Sequence, residues 1–271
     1  MIPKITLGRA IALAAALFLP IAALAEELKI GGTGNALGAM QRLADAFVQQ
    51  NPDMKATVLP SLGSSGAVKA VPKGAIDIGL SSRPLTDAER QGGIVAVEYA
   101  RTPLVFAVCT NTQTTVITLD QVADLYAGKL LNWPDGSQIR PVLRQPGDDN
   151  TRQVRNMSPA LDQAITLAEQ RPGMPFAVTD QDAADKIGSI PGAIGVTTLG
   201  LILAENRPMR ALTLDGIEPT AENTAAGRYP HQKRLFLITL AKPAAKVERF
   251  NAFLNSPSGR DILIRTGHWI P

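Results

Sequence analysis

Apolar positions along this chain recur at two spacings, and each change of spacing marks a boundary between elements. Leu28-Lys29-Ile30 reads as a strand and Gly31-Gly32-Thr33-Gly34 as the turn that follows it. From Ala36 to Gln49 the apolar residues Ala36, Leu37, Met40, Leu43, Ala44, Phe47 and Val48 fall three and four apart. That spacing puts them on one face of a helix, which Asn51-Pro52 ends. Lys55 to Leu59 predicts a second strand, the turn Pro60 to Gly63 follows, and a short helix covers Ser65 to Val71. Ile76 to Leu80 predicts a third strand, and Ile94 to Val108 carries two more.

The second half repeats the alternation. Helices are expected at Leu119–Tyr126, Ser158–Glu169 (with Pro159 in its first turn), Ala183–Ser189, Lys246–Leu254 and Ser258–Arg265. Strands are expected at Pro141–Arg144, Ala193–Val196 and Arg234–Leu240, and a polar loop at Gln145–Arg152. Strand–helix–strand order with short loops predicts an α/β fold in which a mostly parallel sheet is flanked by helices.

Residues 1–25 stand apart from this pattern. Lys4 and Arg9 precede an apolar run from about Ala10 to Leu24, which ends in Ala23-Leu24-Ala25. A basic start, a short apolar run and a small-x-small ending predict a secretory signal peptide, with the mature chain beginning at Glu26 in the periplasm. The competing reading, a membrane anchor, needs about 20 apolar residues. The formal net charge of +3 falls to +1 once Lys4 and Arg9 leave. So small an excess argues against nucleic acid as a partner. Apolar residues make up 45% of the sequence, enough for a substantial core. Cys109 is the one cysteine, which excludes an internal disulfide, and its apolar surroundings predict a buried, inert thiol. His231 and His268 have no second His or Cys at metal-ligand spacing, so neither a metal site nor a cofactor is expected.

Three Gly/Ser-rich loops each follow a predicted strand: Gly32-Thr33-Gly34-Asn35, Gly63-Ser64-Ser65-Gly66 and Ser81-Ser82-Arg83-Pro84. In a parallel sheet all three emerge at the carboxyl edge, where ligands bind. A helix N-terminus there offers free N–H donors and about half a positive charge, which suits an anion. A fourth loop adds Arg144, Asp149, Asn150 and Thr151. Singly, each loop has a plainer explanation: Ser64, Ser65 and Ser82 would be helix caps, and Arg83 a surface residue paired with Asp87. Ser65 and Lys69 stand one helical turn apart, as a Ser–Lys nucleophile would, but a solvated lysine explains Lys69 more simply. Gly32-x-Gly34-x-x-x-Gly38 misses the dinucleotide-binding spacing by one position.

The run Gly63-Ser64-Ser65-Gly66, followed by Asp77-Ile78-Gly79-Leu80-Ser81-Ser82-Arg83-Pro84-Leu85, resembles the periplasmic phosphate-binding proteins of ABC importers, within the type II solute-binding fold. Leu125-Tyr126-Ala127-Gly128-Lys129, Asn132-Trp133, Pro191-Gly192-Ala193-Ile194-Gly195, Tyr229-Pro230 and Phe253 to Gly259 extend the resemblance over most of the chain. It implies two lobes joined by crossing strands, with 26–106 and 236–271 in lobe 1 and 107–235 in lobe 2. It implies a small inorganic oxyanion as ligand, phosphate first, and an ABC permease as partner.

Residue by residue, Ser64 matches the family's phosphate-contacting serine, Arg144 its anion-binding arginine and Thr151 the threonine that ends its Ser-Gly-Thr turn. Gly34 and Asn35 lie in the loop that often supplies a Thr or Ser. The chain departs from the family twice. Ser82 stands where several members carry a carboxylate, and Asp148-Asp149-Asn150 replaces the start of the Ser-Gly-Thr turn. Either Asp148 or Asp149 has taken over the carboxylate role, which favours hydrogen phosphate over sulfate, or both point outward and the ligand is another oxyanion: sulfate, molybdate or tungstate.

The expected binding set is therefore Gly34, Asn35, Ser64, Ser65, Gly66, Ser82, Arg83, Arg144, Asp149, Asn150 and Thr151. Arg144 is expected to be the main charged donor. The chain is expected to act as a monomer and not as an enzyme. An exported serine hydrolase lacks a histidine near Ser64 or Ser65, and a sensory or scaffold role remains open.

Overall fold

The computed structural model describes residues 25–271. The expected signal peptide lies outside the described residues. The first half of the chain runs β1 (Glu26–Gly32), α1 (Gly34–Gln50), β2 (Met54–Val58), α2 (Gly63–Ala70), β3 (Ile78–Ser81), α3 (Asp87–Arg90) and β4 (Ile94–Cys109). The middle runs β5 (Val116–Ile117), α4 (Leu119–Ala127), β6 (Arg140–Pro141), β7 (Leu143–Arg144), α5 (Asp149–Arg155), α6 (Pro159–Glu169), β8 (Phe176–Ala177) and α7 (Asp180–Ser189). The last part runs β9 (Ala193–Thr198), α8 (Leu199–Ala204), β10 (Met209–Ala211), β11 (Thr213–Leu214), α9 (Ala221–Ala225), β12 (Gln232–Leu240), α10 (Ala245–Leu254) and α11 (Pro257–Arg265).

The main sheet has the order β2-β1-β3-β12-β4-β9-β6, with β10 also on β4. β1 pairs in parallel with β2 and β3, so the carboxyl ends of β1 and β3 emerge on the same side. β12 and β4 run antiparallel to their neighbours, and parallel pairing returns at β6–β9. The two strands expected within Ile94–Val108 are one continuous strand. Its first part pairs with β12, from Ile94↔Leu240 to Pro103↔Gln232. From Leu104 onward it pairs with β9. One strand thus serves both lobes, changing partners between Pro103 and Leu104. All of β12 pairs with β3 and with the first part of β4.

Each lobe has its own core. In lobe 1, Leu28, Ile30, Met40, Leu43, Phe47, Leu80, Phe250 and Phe253 pack together. Phe47 meets Phe250 edge-on, with ring centroids 5.3 Å apart. In lobe 2, Phe106, Val122, Tyr126, Trp133, Leu161, Ile194 and Tyr229 form the corresponding cluster. α1 owes its position to its apolar face, since Ala36, Ala39, Met40, Leu43 and Phe47 are all buried. This packing sets the N-termini of α1 and α2 at the sheet's carboxyl edge, facing lobe 2.

Three further expectations change. The polar loop Gln145–Arg152 ends in helix α5, because Asp148 caps it by accepting from the backbone N–H groups of Asn150 and Thr151. The helix expected from Ala183 starts three residues earlier, at Asp180, behind the Thr179 cap. Cys109 ends β4 and is partly exposed rather than buried.

Candidate functional site

The lobes enclose a cavity of about 330 Å3. Lobe 1 contributes Thr33, Asn35, the run Ser61 to Ser65, Ser82 and Arg83. Lobe 2 contributes Arg144, Gln145, Gly147 to Asn150, Arg152 and Val178 to Asp180. Eight of the expected residues therefore meet around one space: Asn35, Ser64, Ser65, Ser82, Arg83, Arg144, Asp149 and Asn150.

Gly34, Gly66 and Thr151 are not among the residues that line it. Gly34 lies where lobe 2 closes on α1; a Cβ there would stand 2.7 Å from Asp180 Oδ2 and 2.5 Å from Gln181 Oε1. A Cβ on Gly66 would stand 2.9 Å from Leu62 Cβ, within its own helix turn. Thr151 sits in the first turn of α5 and spends its backbone N–H on Asp148 Oδ1 at 3.2 Å.

The N-terminus of α2 is open. Its cap residue Leu62 has helical backbone angles and makes no side-chain capping bond. Gly63 takes φ +68, with nothing within 4 Å of a Cβ built on it, so the backbone itself faces the cavity. Ser64 Oγ accepts from Ser82 N at 3.0 Å and is hydrogen-bonded to Ser82 Oγ at 3.2 Å. Ser82 Oγ donates in turn to Asp149 Oδ2 at 3.3 Å. Among the described residues neither Ser64 nor Ser65 has a histidine or carboxylate bonded to its hydroxyl; Ser65 Oγ accepts from Arg83 Nη2 at 3.4 Å.

Arg83 is held by Glu89 through two bonds, Nη1 to Oε2 at 2.8 Å and Nη2 to Oε1 at 2.7 Å. Asp87 pairs with Arg90 instead. The bond to Arg83 brings the Glu89 carboxyl down to about 2. Arg83 is thus a neutralised charge at the wall of the cleft.

Arg144 is buried at the end of β7 and is clamped between two carboxylates. Nη2 donates to Asp148 Oδ2 at 2.7 Å and Nη1 to Asp180 Oδ1 at 2.9 Å, while Nε has no partner among the described residues. Asp180 also accepts from Asn150 Nδ2 at 3.0 Å and, across the cleft, from the backbone N–H of Asn35 at 3.0 Å. Burial pushes the Asp180 carboxyl up, and its neighbour Asp148 adds to this against the pull of Arg144.

The sequence reading missed Asp180. It also missed Lys233, which is fully buried on β12 and donates to Asp149 Oδ2 at 2.6 Å. Burial pushes the Asp149 carboxyl up, but Lys233 and Arg152 outweigh it and leave it lowered. Lys233 was legible in part, because it lies in phase with the buried Leu235 two positions along the same strand. Asp180 carried no such signal, since it lies in no Gly/Ser-rich loop.

Chemically, the cavity offers backbone N–H groups, hydroxyls and a guanidinium, in a cleft whose own carboxylates already balance its cations. Among the described residues no three His, Cys, Asp or Glu side chains are grouped to hold a metal ion.

Residues 20–258 match the family model for a PBP superfamily domain. The phosphate-binding protein PstS of Bacillus subtilis is 27% identical over 257 residues, covering 90% of this chain and 80% of that protein. PstS of Borreliella burgdorferi is 23% identical over 252 residues, covering 89% and 88%. Among solved structures, a putative phosphate ABC transporter substrate-binding protein from Clostridium perfringens with bound phosphate superposes with a TM-score of 0.74 at 23% identity, covering 91% of this chain and all of the other. The periplasmic molybdate-binding protein of Azotobacter vinelandii superposes at 0.62 with 17% identity, covering 90% and 99%. These matches span both lobes and the strands between them, and the chain belongs to the PBP superfamily.

Proposed function

We propose that this protein is an exported receptor that captures phosphate in its interlobe cleft and delivers it to an ABC importer. The observation that carries this reading is the open N-terminus of α2, with Ser64 and Ser65, sharing one cavity with the buried Arg144. The PstS relatives supply the choice of phosphate. A helix N-terminus and a guanidinium bind a tetrahedral oxyanion without a catalytic group. Neither Ser64 nor Ser65 bonds a histidine or carboxylate, which supports a protein that holds its ligand unchanged. The basic start and the Ala23-Leu24-Ala25 ending support export to the periplasm, and a small ligand held between the lobes of one chain needs no second subunit.

Calorimetry of the purified protein against phosphate, sulfate, molybdate and tungstate tests this. Saturable phosphate binding at a stoichiometry of one is expected, with sulfate much weaker. Ser82, in place of a carboxylate, favours one competing outcome: tighter binding of a fully deprotonated oxyanion would move the assignment to molybdate, tungstate or sulfate.

A further inference from the structure

Asp180 belongs to lobe 2, at the first position of α7, yet its carboxylate reaches the donors of both lobes. Oδ1 accepts from Arg144 Nη1 and from Asn150 Nδ2. Oδ2 accepts from the backbone N–H of Asn35 in the first turn of α1. An arginine and a helix N-terminus are the two kinds of group an oxyanion would seek in this cleft. Next to Asp180, Gln181 Nε2 donates to Gly34 O at 2.9 Å and strengthens the same closure. A third interlobe bond, Asn35 Nδ2 to Asn150 Oδ1 at 3.3 Å, lies beside them. A Cβ on Gly34 would collide with Asp180 and Gln181, so the approach depends on a glycine at that position.

We infer that Asp180 acts as the cleft's internal anion: its carboxylate bridges the lobes through donors that the ligand needs, and ligand binding is an exchange of one anion for another. The inference rests on the phosphate reading of the same cleft. Asp148 supports it by contrast. That carboxylate stays within lobe 2, capping α5 and holding Arg144 Nη2 from the arginine's own lobe. Asp180 alone joins Arg144 to the other lobe. A ligand that must displace a prebound partner has its apparent affinity reduced by the fraction of molecules in the competent state. Asp180 would thus set the affinity of the site and discourage ligands unable to displace a carboxylate from a guanidinium.

The test compares the wild type with Asp180→Asn and Asp180→Ser by calorimetry with inorganic phosphate, and by small-angle scattering without ligand. Both neutral replacements are expected to bind phosphate at least tenfold more tightly, and to show a larger radius of gyration when ligand-free. Two variants guard against one failing to fold, which a thermal melt reports. Equal or weaker phosphate binding in the folded variants overturns the inference and makes Asp180 a positioning residue for Arg144. If neither wild type nor variants bind phosphate, the proposed function fails. The scattering then decides alone: a larger radius in the variants upholds the bridge, and an unchanged radius overturns it.

Discussion

The two walls of the cleft present helix N-termini in opposite states. On lobe 1, α2 begins without a cap, on a glycine, with hydroxyls and no carboxylate. On lobe 2, α5 begins behind Asp148, whose carboxylate takes the N–H groups of Asn150 and Thr151 and an Arg144 nitrogen as well. One wall keeps its donors for a ligand, and the other has spent them on its own side chains. The difference shows that a helix N-terminus in a binding cleft is not by itself a binding site; what matters is whether the residue before it satisfies the N–H groups. It also divides the labour between the two helix starts: α2 supplies neutral donors, and the start of α5 holds Arg144, whose charge is already balanced.

The largest effect is expected from removing that balance. Arg144→Ala leaves Asp148 and Asp180 facing each other in a buried site without their shared cation. Breaking a buried ion pair by removing one partner costs on the order of 3–5 kcal/mol, and a denaturant melt at neutral pH should show a loss of that size. Phosphate affinity should fall at least ~10-fold, since about 1.4 kcal/mol is one decade and a charge-assisted bond contributes more than that. A stable Arg144→Ala protein would mean the lobe 2 wall is not held by this triad.

A buried titratable group outside both walls serves as the reference. His268 is fully buried next to Gly200, its Nδ1 lies 3.1 Å from Thr266 Oγ1, and burial brings its pKa down to about 4. The unfolded chain has a histidine near 6.5. Between those values the unfolded chain takes up a proton that the folded chain refuses. Stability is therefore full above about 6.5 and falls as the pH drops towards 4, by about 3 kcal/mol in total. His268→Gln should remove this slope. Changes in the cleft should leave it intact, which separates damage to the scaffold from damage to the site.

Much of this arrangement was legible in the sequence, because local pattern determines it. The Gly63-Ser64-Ser65-Gly66 loop and the helix after it follow from turn residues and apolar spacing, and Arg144 from a strand that runs into a polar loop. The unity of β4 was harder to see. Between Ile94 and Tyr99 the strand is exposed or half-buried, whereas 103–108 are buried throughout, because the strand passes from one sheet environment to another. A change of pattern across Arg101 to Pro103 reads as two strands. Asp180 was beyond local reading. Its partner Asn35 is 145 residues away, and only the approach of the lobes brings them together. Asp148 was in principle readable as a cap, since an Asp followed by a short amphipathic stretch is a helix-start signal.

Asp149 tests the link between the walls and the hinge strand. Its Oδ2 accepts from Lys233 and from Ser82 Oγ, so α5, β12 and lobe 1 meet on one oxygen. Asp149→Asn should cost about 1.5–3 kcal/mol at pH 7, the range of a charge-assisted bond. The Asp149 carboxyl is lowered in the folded protein, so its contribution is present above the unfolded value and is lost as the pH falls through the folded one. The difference between wild type and Asp149→Asn should therefore shrink in acid. A difference independent of pH would show that the carboxylate's charge is not what counts.

The smallest effect belongs to the open wall. Ser64→Ala removes the acceptor for Ser82 N–H and one hydroxyl of the cavity. A neutral hydrogen bond contributes about 0.5–1.5 kcal/mol, so the variant should melt with a loss near 1 kcal/mol. Its effect on phosphate should be smaller than the bond count suggests. The Ser64 hydroxyl is committed to Ser82, and removing it frees the Ser82 N–H to face the ligand instead. One donor replaces another, and the open first turn of α2 is untouched. Calorimetry should therefore find affinity reduced by less than about tenfold. A larger loss would mean that Ser64 leaves Ser82 for the ligand on binding, and that lobe 1, like lobe 2, rearranges its bonds to take the anion.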